Sequence, residues 1–336
     1  MKKEKIAIGE EGIYDARTLG APRMLILGVQ HMFAMFGATV LVPAITGLSV
    51  SSTLLFAGLG TLLFHLITGR KVPAFLGSSF AFLGAYGLVT ASGTDIPLTY
   101  SSFGVACAGL LYLVLALLFK LFGAQRVMKF FPPIVTGPVI IAIGLTLSGT
   151  AIQSSQSNWW VALIAILTVI IFNIWGKGML KIIPILLGVI VSYASSMILD
   201  PASRTAMVER VAEADWIGLP FQWGETAFSI FGESLDTGML ISAIITIMPI
   251  ALATMVEHIG DICAISSTTK RNYISDPGLH RTLLGVGMAT SIAALFGAPA
   301  NTTYGENTGV LALSKVYDPR VIRLAAGFAV LLSFCP

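Results

Sequence analysis

The 336-residue sequence encodes an all-α polytopic membrane protein, and three features say so. Hydrophobic residues make up 55% of it, charged ones only 11%, and apolar runs recur from end to end. A soluble domain carries about 25% charged residues, and roughly 20 apolar residues suffice for one helix to cross a bilayer. The fold must therefore be a bundle of spans. The net charge of +3 in such a chain is no sign of a nucleic-acid partner; the lipid bilayer is what surrounds it. Cys107, Cys263 and Cys335 stand far apart without metal spacing and read as packing residues.

Residues 1–23 are polar and charged over too great a length for the n-region of a signal peptide, and the run after them exceeds an h-region, so the first span is retained. Hydropathy and breakers predict spans at 24–46, 53–69, 80–92, 102–123, 132–151, 159–176, 181–199, 238–264, 282–298, 306–316 and 320–336; the third and tenth are too short to cross. Charge supports the order. With the N-terminus cytoplasmic, the inside segments hold Lys2, Lys3, Lys5, Arg17 and Arg23, then Arg70 and Lys71, then Lys120, Arg126 and Lys129, then Lys177 and Lys181. Lys270, Arg271 and Arg281 follow the eighth span, and Lys315, Arg320 and Arg323 the tenth. Of the 20 basic residues only Arg204 and Arg210 fall outside, as the positive-inside rule requires, and losing one span would scramble the pattern. The hydrophilic segment 200–237 then faces outward.

The same accounting isolates three acids. Of 17 acidic residues only Glu257, Asp261 and Glu306 lie in or at the edge of the spans. A charge at the bilayer centre costs at least ~2.5–3.5 kcal/mol, so such residues face a cavity, a partner or a proton path. Glu257 and Asp261 are spaced i, i+4 and share one helix face.

The halves of the chain also echo each other. The short third span opens with "GSSFAF" (77–82) and the short tenth is entered by "TTYGEN" (302–307), each pairing small hydroxyl residues with an aromatic. Gln30-His31 stands 50 residues before Phe80, and Glu257-His258 stands 47 before Tyr304. Seven spans separate the copies, so the second would run through the membrane inverted. Inverted repeats with interrupted spans mark secondary transporters that bind near the midplane. Gly305 would leave backbone N–H groups open to a cavity, with Glu306 at a helix N-terminus, where negative charge is favoured. Thr302 and Thr303 are candidate caps for that helix.

"QHMFAMFGATVLVP" (30–43), "GSSFAF", "VEHIGD" (256–261), "DPGLHR" (276–281) and "NTTYGENTGV" (301–310) together resemble the uracil permease branch of the nucleobase/cation symporter-2 family, the nucleobase-ascorbate transporters. The resemblance implies a 7+7 inverted-repeat transporter fold with short antiparallel strands in broken spans 3 and 10. It implies core-domain spans 1–4 (24–123) and 8–11 (238–336) and gate-domain spans 5–7 (124–199). Because the sequence ends at "LLSFCP" within span 11, gate spans 12–14 are absent from this expectation, and the polypeptide as it stands is expected to be a fragment that does not transport.

Carried over by position, the resemblance makes Glu257 and Glu306 the carboxylates that contact a nucleobase, with Phe80 and Gly305 adding main-chain hydrogen bonds from the two strands and Tyr304 and Ala38 lining the pocket. Asn307, Gln30 and His31 shape the site. Glu306 and Asn307 open the family pattern E-N-x-G, which closes here on Ser314-Lys315, with Ser in place of Thr. Purine-carrying members usually have Gln at the Glu306 position, which favours uracil. Asp261 stands where a uracil-carrying member has a histidine and is more like the purine branches, which assigns the proton to Asp261 or Glu257. The function implied is proton-coupled uracil import by an elevator motion through the cell membrane, with the proton as coupling ion and no cofactor; a homodimer is compatible with it.

The alternatives are a xanthine or purine symporter of the same family, an anion transporter sharing the fold, and a non-transporting receptor. An intramembrane metalloenzyme on Glu257, His258 and Asp261 is disfavoured because "EHxxD" is not the "HExxH" zinc motif.

Overall fold

Helices begin and end where the sequence supplies caps and breakers. The computed structural model describes residues 11–84, 86, 97–130, 133–177, 180, 183–213, 216–232 and 235–335. α1, Ala21–Thr46, starts on Pro22 and stops at left-handed Gly47, whose N–H bonds Pro43 O. α2, Val50–Ile67, is capped by Ser49. Strand β1, Leu76–Ser78, follows, then α3, Leu98–Phe122, α4, Pro133–Ser155, Asn158-capped α5, Trp159–Trp175, and α6, Pro184–Leu199. α7, Pro201–Glu213, turns away from α6 by 114°. α8, Thr237–Ile247, is capped by Asp236, and α9 is Ile250–Thr269. The chain continues through α10, Leu279–Leu295, β2, Asn301–Thr303, α11, Gly305–Ser314, and α12, Pro319–Leu332, capped by Asp318.

These elements follow the predicted spans closely, with two differences. The eighth span is two helices, α8 and α9, because Pro249 has no N–H to continue the ladder. The third contributes a turn at Phe80–Phe82, and most of its remainder lies outside the described residues, as do Lys2, Lys3, Lys5 and Lys181. Among the described residues, Ala21–Thr46, Val50–Ile67, Leu98–Phe122 and the composite Thr237–Thr269 are long and apolar enough to cross a membrane unaided.

Packing interleaves the two halves. α3 lies along α10 and α8, while α2 lies along α12 and α10, and α1 also packs on α12. α5 and α6 pack chiefly on each other. Small residues permit the close approaches, as in membrane bundles generally. At the α3–α10 crossing, a Cβ on Gly109 would fall 2.2 Å from Ser291 Oγ and 2.8 Å from Gly287 O. One on Gly287 would fall 2.5 Å from Tyr112 Cβ.

The N-terminal segment is strapped across one end of the bundle. Ile13 forms a parallel bridge with Val316 through Ile13 N to Lys315 O and Tyr317 N to Ile13 O, both 2.8 Å. Tyr14 donates to Thr269 O at 2.8 Å, beneath the Arg271 guanidinium. Asp15 pairs with Arg17 and Arg320. The side-chain hydrogen bond from Arg17, then that from its backbone N–H, holds the Asp15 carboxyl at about 2. A depressed acid contributes stability above its unfolded value, about 3.9, and loses it as pH falls toward its folded one. The amides of Ile13 and Tyr317 should therefore stay protected from hydrogen exchange at neutral pH and open on acidification below about 4. Asp15→Asn should open them at neutral pH, and equal protection in that variant would count against the strap.

Candidate functional site

The two strands solve the problem posed by broken backbone inside a membrane, where each peptide group needs a partner within the protein. β1 and β2 pair antiparallel, with Leu76 opposite Thr303, Gly77 opposite Thr302 and Ser78 opposite Asn301. Ser79 N to Ala300 O (2.8 Å) and Tyr304 N to Phe75 O (3.1 Å) extend the ladder. A threonine from the adjoining helix serves each outer edge. Thr61 of α2 accepts from Leu76 N at 2.9 Å and donates to Leu76 O at 3.2 Å. Thr290 of α10 accepts from Asn301 N at 3.2 Å and donates to Asn301 O at 2.9 Å.

The strands are shifted from their expected places. Phe80 and Gly305 lie two residues beyond β1 and β2, Phe80 opening a 3-10 turn and Gly305 opening α11. Their N–H groups belong to helical first turns, which have no intrahelical acceptor. Space around Gly305 is open: a Cβ there would meet nothing within 4 Å. These two amides remain available as donors for that reason, although they are not strand groups.

Around the break stand the acids. α9 carries Glu257 and Asp261 on one face, and both lie within electrostatic range of Glu306 in the first turn of α11. Glu257 Oε2 is buried without a hydrogen-bond partner. Asp261 accepts from Thr303 Oγ1, which also meets His258 Nδ1 at 3.4 Å. Thr303 therefore does not cap α11. That helix has Tyr304 at its N-cap position and no side-chain cap, and Thr302 Oγ1 has no partner; Asp261 competes for the hydroxyl and offers a charge-assisted bond. Glu306 lines a cavity of about 190 Å³ between α1 (Phe33, Ala34, Gly37), the start of α6 (Pro184, Ile185) and α11 (Gly309, Leu313).

The other expected residues form the support. Asn307 Nδ2 donates to His31 O and meets His31 Nδ1, each at 3.1 Å, which ties α11 to α1 across 276 residues. Both side chains are fully buried, and Gln30 is buried beside them. Ala38 and Tyr304 are buried too, at 5% and 4% exposure. The Tyr304 ring covers Gly77, where a Cβ would come within 2.5 Å of it. Its hydroxyl is spent on Ser78 O (3.0 Å) and the Thr39 and Ser78 hydroxyls (3.2 and 3.1 Å). Tyr304 thus clamps the strands from below and does not turn its hydroxyl toward a ligand. Thr61 and Thr290 escaped the sequence reading, which gave Thr303 only as a candidate cap; hydroxyl residues in otherwise apolar spans were the available signal.

A model of the permease family matches residues 22–336. The chain belongs to that family, the nucleobase/cation symporter-2 permeases. The permease is 40% identical over 324 residues to a probable uracil permease of Pasteurella multocida, covering 93% of this chain and 73% of that one. It is 40% identical over 331 residues to the uracil permease of Bacillus caldolyticus (96% and 73%), and 37% identical over 324 residues to that of Escherichia coli K12 (91% and 70%). Among solved structures, the transmembrane domain of the cyanobacterial bicarbonate transporter BicA superposes with a TM-score of 0.61 at 16% identity, covering 97% of this chain and 87% of that one. That likeness is one of fold. The permease is a multi-pass membrane protein, and its relatives are transporters, not enzymes.

Proposed function

We propose that this permease binds uracil at the α9–α11 break, the binding step of proton-coupled uracil import across the cell membrane, with its N-terminus cytoplasmic. The observation that supports this most is the convergence of Glu257 and Asp261 of α9 with Glu306 of α11 beside two paired strands that come from opposite halves of the chain. A uracil ring presents N–H donors flanked by carbonyl acceptors. Glu257 and Glu306 accept from the N–H groups, while the open amides of Phe80 and Gly305 donate to the carbonyls. Asp261, held by Thr303, and Glu257 take up the coupling proton from outside and release it within. The reciprocal packing of α3 on α10 and α2 on α12, and the matched Thr61 and Thr290 contacts, support the inverted repeat.

The α5–α6 unit belongs to the gate against which the loaded core slides, and the Glu306 cavity, walled by the start of α6, lies on that boundary. The BicA fold raises anions as a second substrate class, and three carboxylates at the site repel them.

Labelled uracil binding to the purified permease tests the reading. Binding should tighten as the medium is made more acid and should take up protons from a weakly buffered solution. Fluorouracil should compete, and xanthine should compete less well. Binding insensitive to pH would remove the proton from the scheme; displacement by bicarbonate but not by fluorouracil would remove uracil.

A further inference from the structure

At the basic edge of the bundle, α3 and α10 leave between them a cavity of about 490 Å³. Its floor is apolar, made by Leu113, Ala116 and Leu117 of α3 and Leu284 of α10. Its lip is basic, made by Lys120, His280 and Arg281. The arrangement follows from helix periodicity. Leu113, Ala116, Leu117 and Lys120 fall at i, i+3, i+4 and i+7 on α3, as His280 and Leu284 fall at i and i+4 on α10, so each helix turns one stripe to the cavity that runs from apolar to basic.

His280 lies within electrostatic range of both Arg281 and Lys120. Among the described residues no carboxylate pairs with Lys120 or Arg281; Asp276, just ahead of α10, is taken by Lys71. α10 begins at the same lip without a side-chain cap, and its N-terminus adds a positive dipole end there. Positive groups gathered without a counterion repel one another, and an anion would relieve them. A small soluble anion would answer the lip and leave the floor bare; a zwitterionic lipid would cover the floor and leave the lip uncompensated.

We propose that this cavity binds one anionic phospholipid, its phosphate held by Lys120, His280 and Arg281 and an acyl chain lying along Leu113, Leu117 and Leu284. Basic pockets between spans at the positively charged side of a membrane hold anionic headgroups by the same means.

Native mass spectrometry of the purified permease, titrated with phosphatidylglycerol and phosphatidylcholine, reads the site. One phosphatidylglycerol should be retained in preference. The double variant K120Q/R281Q should lower that preference about 25-fold, fivefold per charge. Leu117→Trp keeps every charge and fills the floor at a half-exposed position, so it should weaken both lipids and supplies the test if the double variant does not fold. Arg126→Gln removes a basic residue outside the cavity and should leave the preference unchanged. Equal retention of the two lipids, an undiminished preference in K120Q/R281Q, undiminished retention of both lipids in Leu117→Trp, an equal loss of preference in Arg126→Gln, or displacement of phosphatidylglycerol by inorganic phosphate would each overturn the assignment.

Discussion

Uracil affinity is expected to fall by about a hundredfold in Glu306→Gln, with the protein still folded. A hydrogen bond to a charged group contributes about 1.5–3 kcal/mol, and the amide that replaces the carboxylate also turns an N–H toward a ligand N–H. The substitution preserves shape, and Glu306 lines an open cavity rather than the packed core, so gel-filtration behaviour should not change. Glu257→Gln should lose as much binding and, in addition, the acid dependence of what remains. Equilibrium binding of labelled uracil decides this. Affinity within twofold of the parent protein in Glu306→Gln would remove that residue from the site, and an intact pH dependence in Glu257→Gln would remove the proton from that side chain.

The largest loss of stability is expected at Gly109. Gly109→Leu would drive a side chain into Ser291 and the Gly287 backbone, where even a Cβ comes within 2.2 Å of Ser291 Oγ and 2.8 Å of Gly287 O. Overpacking typically costs about 1–3 kcal/mol; here the obstacle includes main chain, which cannot swing aside, so we expect the top of that range or more. Gly327→Ala is the matched control, since a Cβ there meets nothing within 4 Å and alanine favours a helix by about 1 kcal/mol over glycine. Thermal unfolding followed by gel filtration should show Gly109→Leu melting well below the parent and Gly327→Ala at or above it. A Gly109→Leu protein as stable as the parent would mean that α3 and α10 do not cross there.

Local chemistry explains why the spans could be read so closely. Apolar length, Pro22, Ser49, Asn158, Asp236 and Asp318 act within a few residues of where they stand, so helix starts can be read along the chain. The acids were legible for a related reason: Glu257, Asp261 and Glu306 are anomalies of composition, visible against a background that excludes charge. The strand limits were less so, because pairing Leu76 with Thr303 is a contact across more than 200 residues, and register depends on which peptide groups Thr61 and Thr290 leave to be satisfied. Tyr304 shows the same limit. Its motif marks it as part of the site, yet whether its hydroxyl meets a ligand or Ser78 depends on how α1 and β1 approach it.

Thus the primary structure alone dictated a lipid-embedded helical bundle, the order of its spans and the identity of the three acids within them, since the hydrophobic effect and helix capping act on neighbours along the chain. Folding in three dimensions settled what the side chains do. It gave Thr303 to Asp261, Asn307 to His31 and the Tyr304 hydroxyl to the strands, and it left open space beside Gly305. Those outcomes rest on competition among donors and acceptors brought together from distant segments, and no local pattern records who wins.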